Sequence, residues 1–226
     1  MNSPQQPSLA GVAWNEKLNE GKTKVVYQDP RDPTGVIVVS KDDITAGDGK
    51  KHDVIVGKAA LSNRTNANVM RLLKDCGLPV AFREQIDGVT FSAARTDMIL
   101  LEVVTRREAH GSYLVRFPYL KKGTVFPKLV FEVFLKTKDK DWLGTVLPCD
   151  DPHAIYVPHR GGFELYDVKK PFHGQQPFHF VPEAELRKDT DWRDLLGRIE
   201  AIARKASLII EQAWRLQGRK WVDMKI

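Results

Sequence analysis

Apolar residues recur along this chain with two different periods, and the changes of period mark out its elements. Two short β-branched runs, around Val25–Tyr27 and Val36–Ser40, flank a turn-rich stretch from Gln28 to Gly35, which predicts a hairpin with a long connection. From Val56 to Cys76, Ala60, Leu61, Val69, Met70, Leu72 and Leu73 gather mostly on one helical face, and Gly77 followed by Pro79 is a stop, so a helix packed on a sheet is expected. Strands are predicted at Val80–Phe82, Val89–Ala93 and Met98–Val104, with Asp87-Gly88 turning between the first two. Lys128–Lys136 alternates: Leu129, Phe131, Val133 and Leu135 fall on one side, and Val130, Glu132 and Phe134 on the other. Thr190-Asp191 caps a predicted helix from Trp192 to Gln217, whose Leu195, Ile199, Ile202, Ala206, Ile209, Ala213 and Leu216 read as a core stripe. Gly218 ends that helix, and Lys220–Ile226 predicts a final strand, while residues 140–182 show no legible period.

Composition narrows the class. The 226 residues are 42% hydrophobic and 28% charged, which fits a folded globular chain with room for one large domain or two lobes. Residues 1–12, rich in Pro, Ser and Gln, predict a flexible tail, and the start lacks the basic and apolar regions of a secretory signal. No apolar run approaches the roughly 20 residues that span a bilayer, so a cytoplasmic protein without a membrane partner is expected. Only Cys76 and Cys149 are present, without metal-ligand spacing, which predicts reduced thiols. The net charge of +6 would suit nucleic acid, but the excess is local. Between Arg106 and Lys128, four further basic residues, Arg107, Arg116, Lys121 and Lys122, meet one acid, Glu108, which suits a compact anionic metabolite and predicts no nucleic-acid partner.

The candidate chemistry centres on Leu101–Arg116, Leu-Glu-Val-Val-Thr-Arg-Arg-Glu-Ala-His-Gly-Ser-Tyr-Leu-Val-Arg. Neighbouring side chains of a strand face opposite ways, so the adjacent Arg106 and Arg107 predict that the strand has ended and a loop begun. Guanidinium forks, the Ser112 hydroxyl and close backbone approach at Gly111 suit a phosphate or carboxylate; a solvated basic turn is the alternative. Gly21-Lys22-Thr23 is not a P-loop, because Glu16 stands where the motif needs its first glycine and a strand follows. Lys22 and Lys24 are expected on one face of a strand, where they suit either a polyphosphate or a solvated hairpin edge. The acidic loop Lys41–Gly49 lacks calcium-loop spacing, and His173 and His179 have no third ligand nearby, so no metal site is predicted from either.

Four segments, in order, resemble the phosphoribosylaminoimidazole-succinocarboxamide synthase (SAICAR synthetase) family: Glu20–Tyr27, Ser40–Gly49, Glu102–Ser112 with its Arg-Arg and Gly-Ser, and Val222-Asp223-Met224-Lys225-Ile226. The resemblance implies an α+β fold, a β-rich N-terminal lobe over an α/β C-terminal lobe with ATP in the cleft between, divided here as residues 13–101 and 102–226. It implies a ligase of purine biosynthesis. ATP would phosphorylate the carboxylate of carboxyaminoimidazole ribotide, and the amine of L-aspartate would displace phosphate to form an amide, with magnesium assisting ATP and a homo-oligomer possible. On the matching positions, Lys22 and Lys24 would contact the ATP phosphates, the backbone around Met98 to Leu101 would line the adenine slot, and Glu102 and Lys136 would also bind the nucleotide. Arg106 and Ser112 would hold the ribotide, with Arg107 and Arg116 nearby and Asp43 and Asp48 on the substrate side. Lys225 would neutralise charge developing on the acyl phosphate, Asp223 would orient Lys225 or a magnesium-bound water, and both would act with Arg106 in catalysis.

Departures from the family pattern carry expectations too. Leu100 stands where the family has proline, His110 replaces a small residue, and residues 140–182 do not match. Members continue past the last strand with Glu-Phe-Gly, an Asp-Glu segment and an arginine, which supply the magnesium carboxylates and a substrate contact. The sequence here stops at Ile226, so a chain truncated relative to the family, without protein metal ligands and at best weakly active, is expected. Two alternatives stay open: a non-catalytic nucleotide-binding relative, and a related ligase using a different amine or acid.

Overall fold

The computed structural model describes residues 16–46 and 51–226, and these fall into two units that meet in sequence at Asp97 and Met98. The expected tail of residues 1–12 and the candidate Asp48 lie outside the described residues.

In the N-terminal unit, β1 (Lys17–Glu20), β2 (Lys24–Gln28), β3 (Gly35–Ser40), β6 (Phe82–Gln85) and β7 (Thr90–Ala94) form an antiparallel sheet in the order β1-β2-β3-β7-β6. The β2–β3 hairpin is the one expected, with Tyr27 opposite Ile37. Helix α1 (Lys58–Asp75) packs on this sheet through Ala59, Asn63, Ala67 and Leu73. Its buried face is rotated from the expected one, and Leu61 is exposed. The reason is the buried Asn63, whose amide donates to the carbonyls of Asp87 and Thr90 at 3.0 and 3.3 Å and fixes the rotation of the helix. The acidic loop reads differently in three dimensions: Asp43–Ala46 is strand β4, paired with β5 (Lys51–Val54).

The C-terminal unit is built on a six-stranded sheet, β14-β13-β12-β9-β8-β15, antiparallel throughout. Its strands are β8 (Leu101–Glu108), β9 (Val125–Leu135), β12 (His153–Val157), β13 (Gly162–Tyr166), β14 (His179–Pro182) and β15 (Asp223–Lys225). A small hairpin, β10 (Asp141–Trp142) and β11 (Thr145–Val146), follows β9. Short helices α2 (Ser112–Arg116) and α3 (Glu183–Leu186) precede the long α4 (Trp192–Leu216). The stretch without legible period thus holds three ladder strands and a hairpin. Gly162 is required where β13 passes β14, since a Cβ there would run into the Val181 carbonyl and the Phe180 ring.

Two expectations fail here for physical reasons. β8 continues to Glu108, so no loop opens at Arg106-Arg107; the strand accommodates both arginines by sending them to opposite faces. On the helix side, α4 is buried at Trp192, Ala203, Ala206, Ser207 and Ile210, whereas Ile202 and Leu216 of the expected stripe are exposed. Small residues at the centre let α4 approach β8 closely enough for the Thr105 and Ser207 hydroxyls to hydrogen-bond. A core of Leu101, Val133, Leu135, Phe163, Leu165, Val181 and Trp192 lies on this side of the sheet. Among the described residues, no helix is long and apolar enough to cross a membrane.

Candidate functional site

The opposite face of the C-terminal sheet is polar at its β8–β9–β15 edge, and register explains why. Asp223 of β15 lies opposite Arg106, Lys225 opposite Val104, and Val104 in turn opposite Glu132 of β9. At period two, Glu102, Arg106, Glu108, Glu132, Asp223 and Lys225 therefore share one face.

Their charges alternate. Arg106 Nε donates to Glu132 Oε2 at 2.6 Å and its Nη1 to Asp223 Oδ2 at 2.9 Å, while Arg116 Nη2 from α2 donates to Glu132 Oε1 at 2.5 Å. Lys225 pairs with Glu102 at 2.7 Å, Lys136 reaches Glu102 at 3.5 Å, and Lys136 also pairs with Asp151. At the other end, Glu108 accepts from Lys220 at 3.0 Å and contacts His110 at 3.1 Å; these partners hold its carboxyl below the usual carboxylate range. Aromatic rings floor the cluster. Tyr113 lies 5.6 Å from each of the Arg106 and Arg116 guanidinium carbons, and Phe134 lies 5.1 Å from that of Arg116. His153, in ring contact with Phe134 and Phe172, is pushed down to about 4 by burial, so it is neutral near pH 7.

The structure therefore brings together Arg106, Arg116, Asp223, Lys225, Glu102 and Lys136, six of the residues singled out in the sequence. Ser112, exposed at the start of α2, adjoins them through its carbonyl, which accepts from Arg116 Nη1 at 3.3 Å. Gly111 before it adopts φ 55°, a turn that favours glycine. Arg107 is not part of the cluster: it points to the helix side, where it makes a two-pronged pair with Glu211 of α4 at 2.6 and 2.9 Å. Leu101 turns its side chain into the core, and Met98 is exposed. Asp223 bonds Arg106, while Glu102 holds Lys225, so the expected Asp223–Lys225 partnership is divided between two acids. Glu132 was not anticipated, although its signal was present as a lone acid in the apolar run of β9.

In the N-terminal unit, Lys22 is exposed in the turn between β1 and β2, not on a strand face with Lys24. Lys24 is half-buried over the Phe91 ring at 5.8 Å, and burial together with the positive charge of Lys58 pushes its ammonium below the usual lysine range. Lys24 and Lys58, but not Lys22, line an open hollow of about 640 Å³ with Ile55, Val56, Leu61 and Val69. Asp43 pairs with His52 at 2.7 Å, and the neighbouring Asp42 accepts from the backbone of Ala59 and Gly57 at the start of α1.

Comparison with known proteins places these features in a family context. The family model described as SAICAR synthetase matches residues 17–143. The chain is 36% identical over 211 residues to the phosphoribosylaminoimidazole-succinocarboxamide synthase of Roseiflexus castenholzii, which takes in 93% of this chain and 71% of that protein. It is 42% identical over 215 residues to the enzyme of the same name from Herpetosiphon aurantiacus, 95% of this chain and 73% of the relative. Among solved structures, a type-2 SAICAR synthetase in complex with ADP superposes with a TM-score of 0.67 at 25% identity, over 92% of this chain and 72% of that one.

Proposed function

This chain belongs to the SAICAR synthetase family, and from that premise we propose that it joins carboxyaminoimidazole ribotide to L-aspartate through an ATP-derived acyl phosphate. The single observation that carries the reading is the alternating cluster on the C-terminal sheet, where buried guanidinium groups and flexible ammonium groups are gathered on one face. Amide formation from a carboxylate needs this kind of site. A carboxylate resists attack by an amine until one oxygen leaves as phosphate, and phosphoryl transfer is accelerated chiefly by positioning and by neutralising charge.

Arg106, Arg116 and Ser112 hold the anionic ends of the ribotide. Lys225, held by Glu102 but largely exposed, turns to the acyl phosphate as its negative charge develops. Asp223, bound to Arg106, sits on the exposed rim where it is exchangeable against a ligand oxyanion. The related structure that binds ADP supports nucleotide binding by this chain, and in this reading Lys22 and Lys24 take the phosphates. Lys136, paired with Glu102 and Asp151, adds positive charge to the C-terminal cluster. Arg107 ties sheet to helix and is left out of the site.

Magnesium fits less well. Among the described residues no group of three His, Cys, Asp or Glu side chains is placed to hold a metal ion. The acids nearest the reacting groups, Glu102, Asp151 and Asp223, are each committed to a lysine or arginine. No step is routed through the metal. The test is ADP release measured with the ribotide and L-aspartate both present, and with each omitted in turn. Release that requires both supports the ligase; nucleotide binding without turnover refutes it in favour of a non-catalytic relative, and turnover only with another amine redirects the specificity.

A further inference from the structure

Glu132 is a single carboxylate shared by two buried arginines, one oxygen to each. We propose that Glu132 is the positioning residue of the ribotide subsite, fixing Arg106 and Arg116 as one preorganised clamp for a ligand oxyanion; the inference rests on the ligase reading above.

Charge is the first argument. The side chains of Arg106, Glu132 and Arg116 are 6%, 4% and 1% exposed, so the trio carries two positive charges and one negative charge away from solvent. The other acid on Arg106, Asp223, is 41% exposed and belongs to the three-residue edge strand β15. The buried trio therefore keeps a net positive charge where water screens it poorly, and an arriving oxyanion is attracted strongly.

Donor accounting is the second. Glu132 occupies Nε of Arg106 and Nη2 of Arg116, and Arg116 Nε is buried with no hydrogen-bond partner among the described residues. A buried N–H without an acceptor is costly, and a ligand oxygen would relieve that cost. Geometry is the third. With edges fixed by Glu132 and faces held by Tyr113 and Phe134, the two guanidinium groups have little freedom left to lose when a ligand arrives. A simple counter-ion would differ in one respect: its removal would raise the positive charge of the pocket and strengthen binding of any anion.

The experiment is titration calorimetry of carboxyaminoimidazole ribotide and of ADP into the full chain, as wild type, Glu132→Gln and Glu132→Asp, with thermal melts alongside. Glu132→Asp keeps the charge, but its carboxylate is one methylene too short to span both arginines. Both variants are expected to bind the ribotide roughly tenfold or more weakly, because misplaced contacts forfeit preorganisation, with ADP affinity unchanged. Wild-type ribotide affinity in either variant that melts cooperatively overturns the proposal, as does equal loss of ribotide and ADP binding. If Glu132→Gln does not fold, Glu132→Asp decides alone. A wild-type chain that binds no ribotide sinks the ligase reading and this inference with it; wild-type binding that neither variant alters sinks only the role of Glu132.

Discussion

At the scale of single residues, the two halves of the proposed chemistry use lysine in opposite ways. Lys24 is half-buried, and both influences on it, burial and the neighbouring Lys58, disfavour its charged form. A cation kept where burial and a like charge oppose it, with one ring contact to Phe91 in its favour, is a mark of function maintained against stability. Lys24→Met is therefore expected to leave the melting temperature unchanged or higher while weakening ADP binding by roughly tenfold or more; a lower melting temperature with unaltered ADP affinity would make Lys24 structural. Lys22→Ala, in an exposed turn, is expected to weaken ATP binding without altering the melt. Lys225 is different: it is 65% exposed and paired with Glu102, an ion pair of the kind that adds little to stability. On the proposed reading its worth lies in the reaction. Replacing it with Met is expected to lower kcat on the order of 100-fold with little change in KM for ATP, the signature of charge neutralised mainly in the transition state. Steady-state rates at saturating ribotide and aspartate measure this directly.

At the scale of elements, what the sequence revealed depended on how local the signal was. The ends of α4 were readable because a cap is a local device: the Asp191 carboxylate accepts from Asp194 N at 3.0 Å. Asp191→Ala is expected to cost about 1 kcal/mol and lower the melting temperature of the C-terminal unit by a few degrees, as calorimetry would register. The phase of the same helix was less readable. Its apolar residues extend beyond the contact face, and the strip that meets β8 is made of Ala203, Ala206 and Ser207, whose small size matters more than their hydrophobicity. Arg106 and Arg107 were legible as residues but not as geometry, because α4 offers Glu211 to one and β9 offers Glu132 to the other across long sequence separations. The segment from 140 to 182 stayed illegible since its strands are short and aromatic, and β13 is placed by its neighbours β12 and β14. The motif residues of the candidate site were legible, but the carboxylate joining two of them was not: only the register of β9 against β8 reveals where a lone acid points.

At the scale of the whole molecule, acid sensitivity follows from where the titrating groups sit. His153 titrates at about 4 in the folded chain against an ordinary value of 6.5, because burial disfavours its charged form, while Glu132 and Arg116 act on it in opposite directions. The unfolded chain thus takes up a proton on this ring before the folded chain does, and stability falls as pH drops from 6.5 toward 4. A shift of that size corresponds to at most roughly 3 kcal/mol. Carboxylates act in a lower window. Glu108, Asp29 and Asp150 are all held below their ordinary values, by Lys220, Arg31 and the Thr137 hydroxyl respectively, so their contribution is present above the unfolded-state carboxylate range and is lost as pH falls from that range through their lower folded-state values. Two phases of acid destabilisation are therefore expected, and one substitution separates them. His153→Phe keeps an aromatic ring against Phe134 and Phe172 and removes the proton. Four of the five tryptophans lie after Met98, so urea unfolding followed by tryptophan fluorescence reports chiefly on the unit that contains this ring. In wild type the unfolding free energy should decline from about pH 6.5 to about 5; in His153→Phe it should stay level across that interval and fall only below it, where the carboxylates titrate. An identical decline in both proteins would assign the first phase to other groups and leave His153 as an ordinary ring of the core.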